Sequence, residues 1–225
     1  MRITIIAAME LELAPARTLL AVEDLKARGI EIRYLYTGVG ILESTYAITK
    51  DVDRFRPDLA IQAGIGGSFV REYGLGTVVA VGEEVVGDVG VVEGHGFQSI
   101  FDMGFADPHG HPYRSGILVN PHHGILTATG LPVVRGLTVN EISTDPVKMK
   151  MLEDKYRPVV ESMEGAPFHY ICLDQAIPFL QLRAVSNFTG ERDRANWDFK
   201  GSVKNLNDKL IELVHTFADN PDTWN

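Results

Sequence analysis

Val160-Glu161-Ser162-Met163-Glu164-Gly165-Ala166 decides the fold. A short apolar run, residues 159–162, breaks there into a helix-like segment, 163–175, and sets Glu164 beside a methionine at the break. A second apolar run, 179–186, ends in Arg183-Ala184-Val185-Ser186-Asn187, on a side-chain amide. A third, 3–8, ends in Ala8-Met9-Glu10-Leu11-Glu12. Each places a polar group at the carboxyl end of a buried strand, the edge of an open α/β sheet where ligands bind.

Working outward, strand-like and helix-like segments alternate. Residues 3–8 show no polar alternation, as a strand covered on both faces should. Helix follows over 11–28, strand over 30–37 and helix over 42–54. Pro57-Asp58 marks a break before a strand at 59–63. Gly64-Ile65-Gly66-Gly67-Ser68 reads as a tight turn. Residues 78–92 carry two valine-rich strands split at Gly87-Asp88. From 95 to 123 the pattern dissolves into Gly, Pro, His and Phe, which marks a functional loop or an oligomer contact. Strand at 132–139 and helix at 146–156 lead back to the opening stretch. A last helix, 201–217, puts Val203, Leu206, Leu210, Leu213 and Val214 on one face. No linker or repeat interrupts the 225 residues. The expectation is a single α/β domain over 1–225, a three-layer αβα sandwich around a largely parallel, mixed sheet.

Composition narrows the function. With a formal net charge of −9 and no Lys/Arg cluster, a nucleic-acid partner is not expected. Cys172 is the single cysteine, so no intrachain disulfide forms, and its apolar helix marks it as a buried structural thiol. The first apolar run is too short for a signal peptide, and no segment is long enough to span a bilayer. A cytoplasmic protein without a membrane partner is expected.

The motifs resemble the nucleoside phosphorylase/nucleosidase superfamily. Its methylthioadenosine/adenosylhomocysteine nucleosidase and futalosine hydrolase branches are the most similar. The resemblance runs through Ile5 to Glu12, Thr37-Gly38-Val39-Gly40, the Gly64–Gly67 turn, Glu161 to Ala166 and Arg183 to Ser186. It implies a cofactor-free N-ribosidic cleavage of a small purine nucleoside. Cleavage builds positive charge on the sugar and negative charge on the base. The resemblance gives Glu164 the ribose hydroxyls, with Met163 packed on the ribose, and gives Glu12 the task of deprotonating water. By their residue type alone, both glutamates would also serve as helix-start acids; Glu10 and Glu161 read as structural. Phosphorolysis is disfavoured, because relatives that hold phosphate carry an Arg-containing, Gly-rich turn where this chain has Met9-Glu10-Leu11-Glu12. The resemblance also sets Ile65 and Gly66 against the nucleoside, with Ile65 in place of the usual serine.

Asn187 replaces the aspartate of adenine nucleosidases. An amide NH2 has two hydrogens and suits the N7 and O6 acceptors of hypoxanthine, as in futalosine or inosine; a turn-starting Asn is the plain alternative. The 187–194 segment also looks like that of futalosine hydrolases, enzymes of menaquinone biosynthesis. Futalosine carries an aryl carboxylate, for which Arg192 or Arg194 is a candidate, against a plain surface pairing with Asp193 or Asp198. Phe101 and Phe105 are candidates for its apolar pocket; in relatives this loop reaches a neighbouring subunit, so a homo-oligomer, at least a dimer, is expected. His109-Gly110-His111 and His122-His123 lack the companions of a metal site. Gly38-Val39-Gly40 lacks the third glycine of a dinucleotide fingerprint. Within the fold the rival reading is a methylthioadenosine/adenosylhomocysteine nucleosidase. Outside enzymes it is a catalytically silent nucleoside-binding protein.

Overall fold

The computed structural model describes residues 1–94 and 96–220; His95, where the central loop was expected to begin, lies outside them. The chain runs β1 (Arg2–Ala7), α1 (Glu10–Leu19), α2 (Val22–Ala27), β2 (Glu31–Tyr36), α3 (Ile41–Phe55), β3 (Leu59–Ser68) and β4 (Val78–Val86). It continues through β5 (Gly90–Glu93), β6 (Gly96–Ser99), β7 (Leu118–Val119), α4 (His123–Ala128), β8 (Val133–Thr138) and α5 (Pro146–Tyr156). β9 (Val160–Ser162), α6 (Gly165–Asp174), β10 (Phe179–Phe188) and α7 (Phe199–Asp219) follow, with a 3-10 turn at Arg194–Asn196.

The sheet is mixed, in the order β10-β4-β8-β9-β3-β1-β2. β1 lies parallel to β2 and β3, and β10 is parallel to β3 but antiparallel to β4. β10 also pairs with β3, so β3, β10, β4, β8 and β9 close into a ring. Alternate residues of the same strands feed two cores. Ile5, Ile61 and Leu180 pack with Leu13, Ile125, Leu206, Leu210 and Phe217 from α1, α4 and α7. Ile6, Ala60 and Phe179 pack with Ile48, Val52, Phe168 and Ile171 from α3 and α6. Each such fully buried side chain contributes about 1.5–3 kcal/mol. These are the three layers.

Two local expectations are corrected. The helix over 11–28 is two helices, because buried Leu20 leaves helical geometry (φ −65°, ψ 122°) and anchors the chain before Val22. The Gly64–Ser68 stretch is no turn: it continues β3, paired with β10 and then also with β9. Its glycines are there for close approach. A Cβ on Gly66 would stand 2.7 Å from the Glu161 carbonyl oxygen. The loop after 95 is partly ordered into β6, paired antiparallel with β5, and β7, paired with β4.

Candidate active site

Three ends of the sheet meet over β3. At the end of β1 the chain turns into α1, and Glu12 reaches back so that its Oε2 accepts from the Met9 N–H (3.0 Å). This is the return half of a capping box. Its Oε1 accepts from the Ile65 N–H on β3 (3.1 Å). Buried Asn207 of α7 clamps this turn from behind, donating to the Glu12 carbonyl (2.8 Å) and accepting from the Ala16 N–H (2.9 Å). Burial raises the Glu12 carboxyl above its usual range; bonds from Ile65 and Met9 and the field of Arg183 oppose this, and the nearby Glu164 adds to it.

Glu164 is the residue from which α6 starts. Its Oε1 accepts from the Gly40 N–H (2.9 Å), and its carbonyl accepts from Gln62 Nε2 (3.1 Å). Gly40 sits at φ +95°, which only glycine adopts readily. Between the two glutamates stands Arg183, 2% exposed. Its Nη2 donates to Gln62 Oε1 (3.0 Å) and its Nη1 to the Ile65 carbonyl (3.4 Å), 3.8 Å from Glu164 Oε2. Arg183 was quoted in the sequence motif without a role. A cation inside a buried, largely apolar strand was its signal.

Glu12, Glu164 and Asn187 line one cavity of about 210 Å³. Ile65, Gly66, Met163 and Arg192 line it too, with Met9, Val39, Ile142, Glu161, Ser186 and Trp197. Arg192 lies over the Trp197 ring at 5.8 Å. Arg194 lies in the 3-10 turn and does not line the cavity. Phe101 lines a different, apolar cavity of about 320 Å³ with Tyr113 and Pro167, and Phe105 is 78% exposed. The larger cavity is lined by no carboxylate, which makes the smaller one the candidate site. Glu161 accepts from the Ser143 N–H (3.1 Å), and Glu10 pairs with Arg17 on the surface.

Asn187 meets the cavity differently from expectation. Its Nδ2 donates to the Phe188 carbonyl (2.9 Å), and its Oδ1 accepts from Ser186 Oγ (2.8 Å). A carbonyl only accepts, so the NH2 must face Phe188. One amide hydrogen, not two, is left for a base.

Among the described residues no group of three His, Cys, Asp or Glu is placed to hold a metal, and no helix is long and apolar enough to cross a membrane. The arrangement offers two buried carboxylates around a shared guanidinium and an amide donor at one wall. That set can activate water, hold hydroxyl groups and support a departing heterocycle.

Known proteins carry the same frame. Futalosine hydrolase of Thermus thermophilus is 32% identical over 182 residues, covering 80% of this chain and 79% of that protein. A 5'-methylthioadenosine/S-adenosylhomocysteine nucleosidase of Geobacillus is 26% identical, over 84% of this chain and 82% of that protein. Native futalosine hydrolase of Helicobacter pylori shares the fold, with a TM-score of 0.78 at 17% identity over 96% of this chain and 97% of that one. The model of the phosphorylase superfamily matches residues 2–219, from the first strand to the last helix that carry the cleft between them. The chain belongs to the phosphorylase superfamily.

Proposed function

We propose that this protein is a futalosine hydrolase: a cofactor-free N-ribohydrolase that releases hypoxanthine, in menaquinone biosynthesis. Glu12 takes a proton from water, whose oxygen bonds to the anomeric carbon. The carbon–nitrogen bond breaks and its electron pair leaves with the base. Glu164 accepts from the ribose hydroxyls and supports the electron-poor sugar, with Met163 packed against it. The Asn187 amide steadies charge growing on the base; it gives up no proton, so the base is protonated from solvent. The buried Glu12 carboxyl, with its raised affinity for a proton, suits a general base.

The observation that carries the choice of base is the pinned amide of Asn187. Held between the Phe188 carbonyl and Ser186 Oγ, it keeps one hydrogen to donate, and one lone pair of its oxygen is already engaged. A 6-oxopurine presents two acceptors, N7 and O6, to that donor; adenine presents N7 alone, beside an amino group that donates. Arg192, at the same cavity, is the candidate for the substrate's aryl carboxylate. The neighbouring Val39, Leu42 and Tyr46 are exposed apolar side chains that favour a homo-oligomer, at least a dimer. Buried Cys172, the chain's single cysteine, fits a reducing cytoplasm.

One chromatographic assay tests this. Futalosine, inosine and methylthioadenosine are incubated with the enzyme, with and without phosphate. Hypoxanthine release from futalosine, insensitive to phosphate, is expected. Preference for methylthioadenosine makes the protein the rival nucleosidase, and release of no base makes it a silent binder.

A further inference from the structure

Outside the cavity, the patch of sheet beneath the first turn of α6 is polar where an apolar surface is expected. Gln62, Gln181, Arg183, Glu84 and Thr138 all lie buried there. Glu84, on β4, is fully buried and does not line the cavity. Both its oxygens are held: Oε1 accepts from Thr138 Oγ1 (3.0 Å), and Oε2 accepts from Gln181 Nε2 (3.0 Å). Thr138 Oγ1 in turn accepts from the Ala166 N–H (2.7 Å), in the first turn of α6. Room for the carboxyl comes from missing side chains, since a Cβ on Gly136 or Gly165 would collide with Glu84 Oε2.

Two routes thus lead from Glu84 to Glu164. One runs through Thr138 to the amide two residues after Glu164. The other is the field of Arg183, which stands 3.8 Å from Glu164 Oε2 and acts on Glu84 as well. We propose that Glu84 is a positioning residue: from beneath the N-terminus of α6 its charge fixes Glu164 and balances Arg183, so that Arg183 orients the two cavity carboxylates without cancelling their negative field. A developing cationic sugar needs that field. An ionised carboxyl in this place is costly to the fold, and burial pushes it up to about 7. The surrounding titratable groups are Arg183 on β10 and His169 on α6, beside Gln181 and held neutral by burial. Arg135 on β8 pairs with Glu83 instead.

The proposal rests on Glu164 and Glu12 acting in nucleoside hydrolysis, and its test separates the two. Glu84→Gln removes the charge but keeps the shape. Its new NH2 can donate to Gln181 Oε1, which has no partner among the described residues, after a half-turn of that amide. Such a variant is expected to fold, with KM within about threefold of wild type and kcat lowered at least about tenfold, as for loss of an electrostatic support. With Arg183 no longer balanced, the acid limb of kcat/KM should move to lower pH. A residue that merely fills space would leave kcat and the limb unchanged, and that result overturns the proposal. Thr138→Val cuts the link to α6 independently and should also lower kcat; wild-type kcat there removes the Thr138 route. Failure of both variants to fold would make Glu84 a stability residue only, also against the proposal. Carboxyl-carbon NMR titration of Glu12 in wild type and Glu84→Gln reads the same field without turnover. A lower Glu12 titration point in the variant supports the relay even if wild type cleaves no nucleoside; an unmoved one refutes it.

Discussion

Gly64 has no side chain because Arg183 stands in its place. A Cβ there would come 2.5 Å from Arg183 Nη1 and 3.1 Å from Glu12 Oε1. The guanidinium cannot simply swing aside, since Nη2 is bonded to Gln62 and the whole group is buried. Gly64→Ala should therefore displace Arg183 and disturb both carboxylates. Overpacking of this kind typically costs about 1–3 kcal/mol. Urea unfolding and kcat, measured on the same preparation, should both fall; an unchanged kcat would show that Arg183 does not orient the pair.

Glu12→Gln tests the base. General-base catalysis typically contributes about a hundredfold to ten-thousandfold, so kcat should fall by that order. Both Glu12 oxygens accept from main-chain N–H groups. A glutamine sets its NH2 against one of them, and a loss of about 1–3 kcal/mol in stability should accompany the change. In wild type the acid limb of kcat/KM should lie above 4.5, the ordinary value for glutamate, because burial raises Glu12. A limb at or below that value would remove Glu12 from the role.

Asn187→Asp should shift base preference. The carboxylate would face the Phe188 carbonyl without a hydrogen to give, and the donor toward a 6-oxopurine would be lost. Leaving a buried polar group unpaired costs about 1–3 kcal/mol, roughly one to two decades in kcat/KM. Paired kcat/KM values for futalosine and methylthioadenosine, in wild type and variant, decide it. Equal loss on both substrates would show that Asn187 does not read the base.

Glu84 should make the fold more stable in mild acid. Its folded value of about 7 lies above the 4.5 of the unfolded chain. The folded state therefore binds the proton more tightly, and the penalty of the buried charge, full above 7, is relieved as pH falls toward 4.5. A shift of this size corresponds to roughly 3 kcal/mol. Urea unfolding at pH 8 and pH 5.5 should show the Glu84→Gln variant gaining on wild type at the higher pH, with the gap closing at the lower. A gap independent of pH would contradict the buried charge.

The alternation of periods carried much of the fold. β1 and α5 stand where the alternation of segments put them; the structure adds that Pro146 opens α5 and that the Asp145 side chain caps it by accepting from the Val147 N–H. The glycine run misled because glycine in sequence is punctuation, whereas here it admits atoms from distant strands. Glu12, Glu164 and Asn187 stood at strand ends, and the family resemblance singled them out among their neighbours; all three line the cavity. Glu84 and Gln181 could not be, because their partners lie 54 and 97 residues away along the chain. Local pattern records a polar residue in an apolar run but not what it will meet. The pinning of Asn187 was equally hidden, since it depends on how the end of β10 bends around its own side chain.

The closed ring of strands also orders events in time. β10, the last strand, is the stave that completes it, entering between β3 and β4. A growing chain that has not yet delivered β10 already owns Glu12 and Glu164, yet lacks Arg183 between them and Asn187 at the wall. Nothing then holds the glycine segment of β3 against its neighbour on that side. The candidate cleft is therefore completed only by contacts that are distant in sequence, a kind that forms slowly.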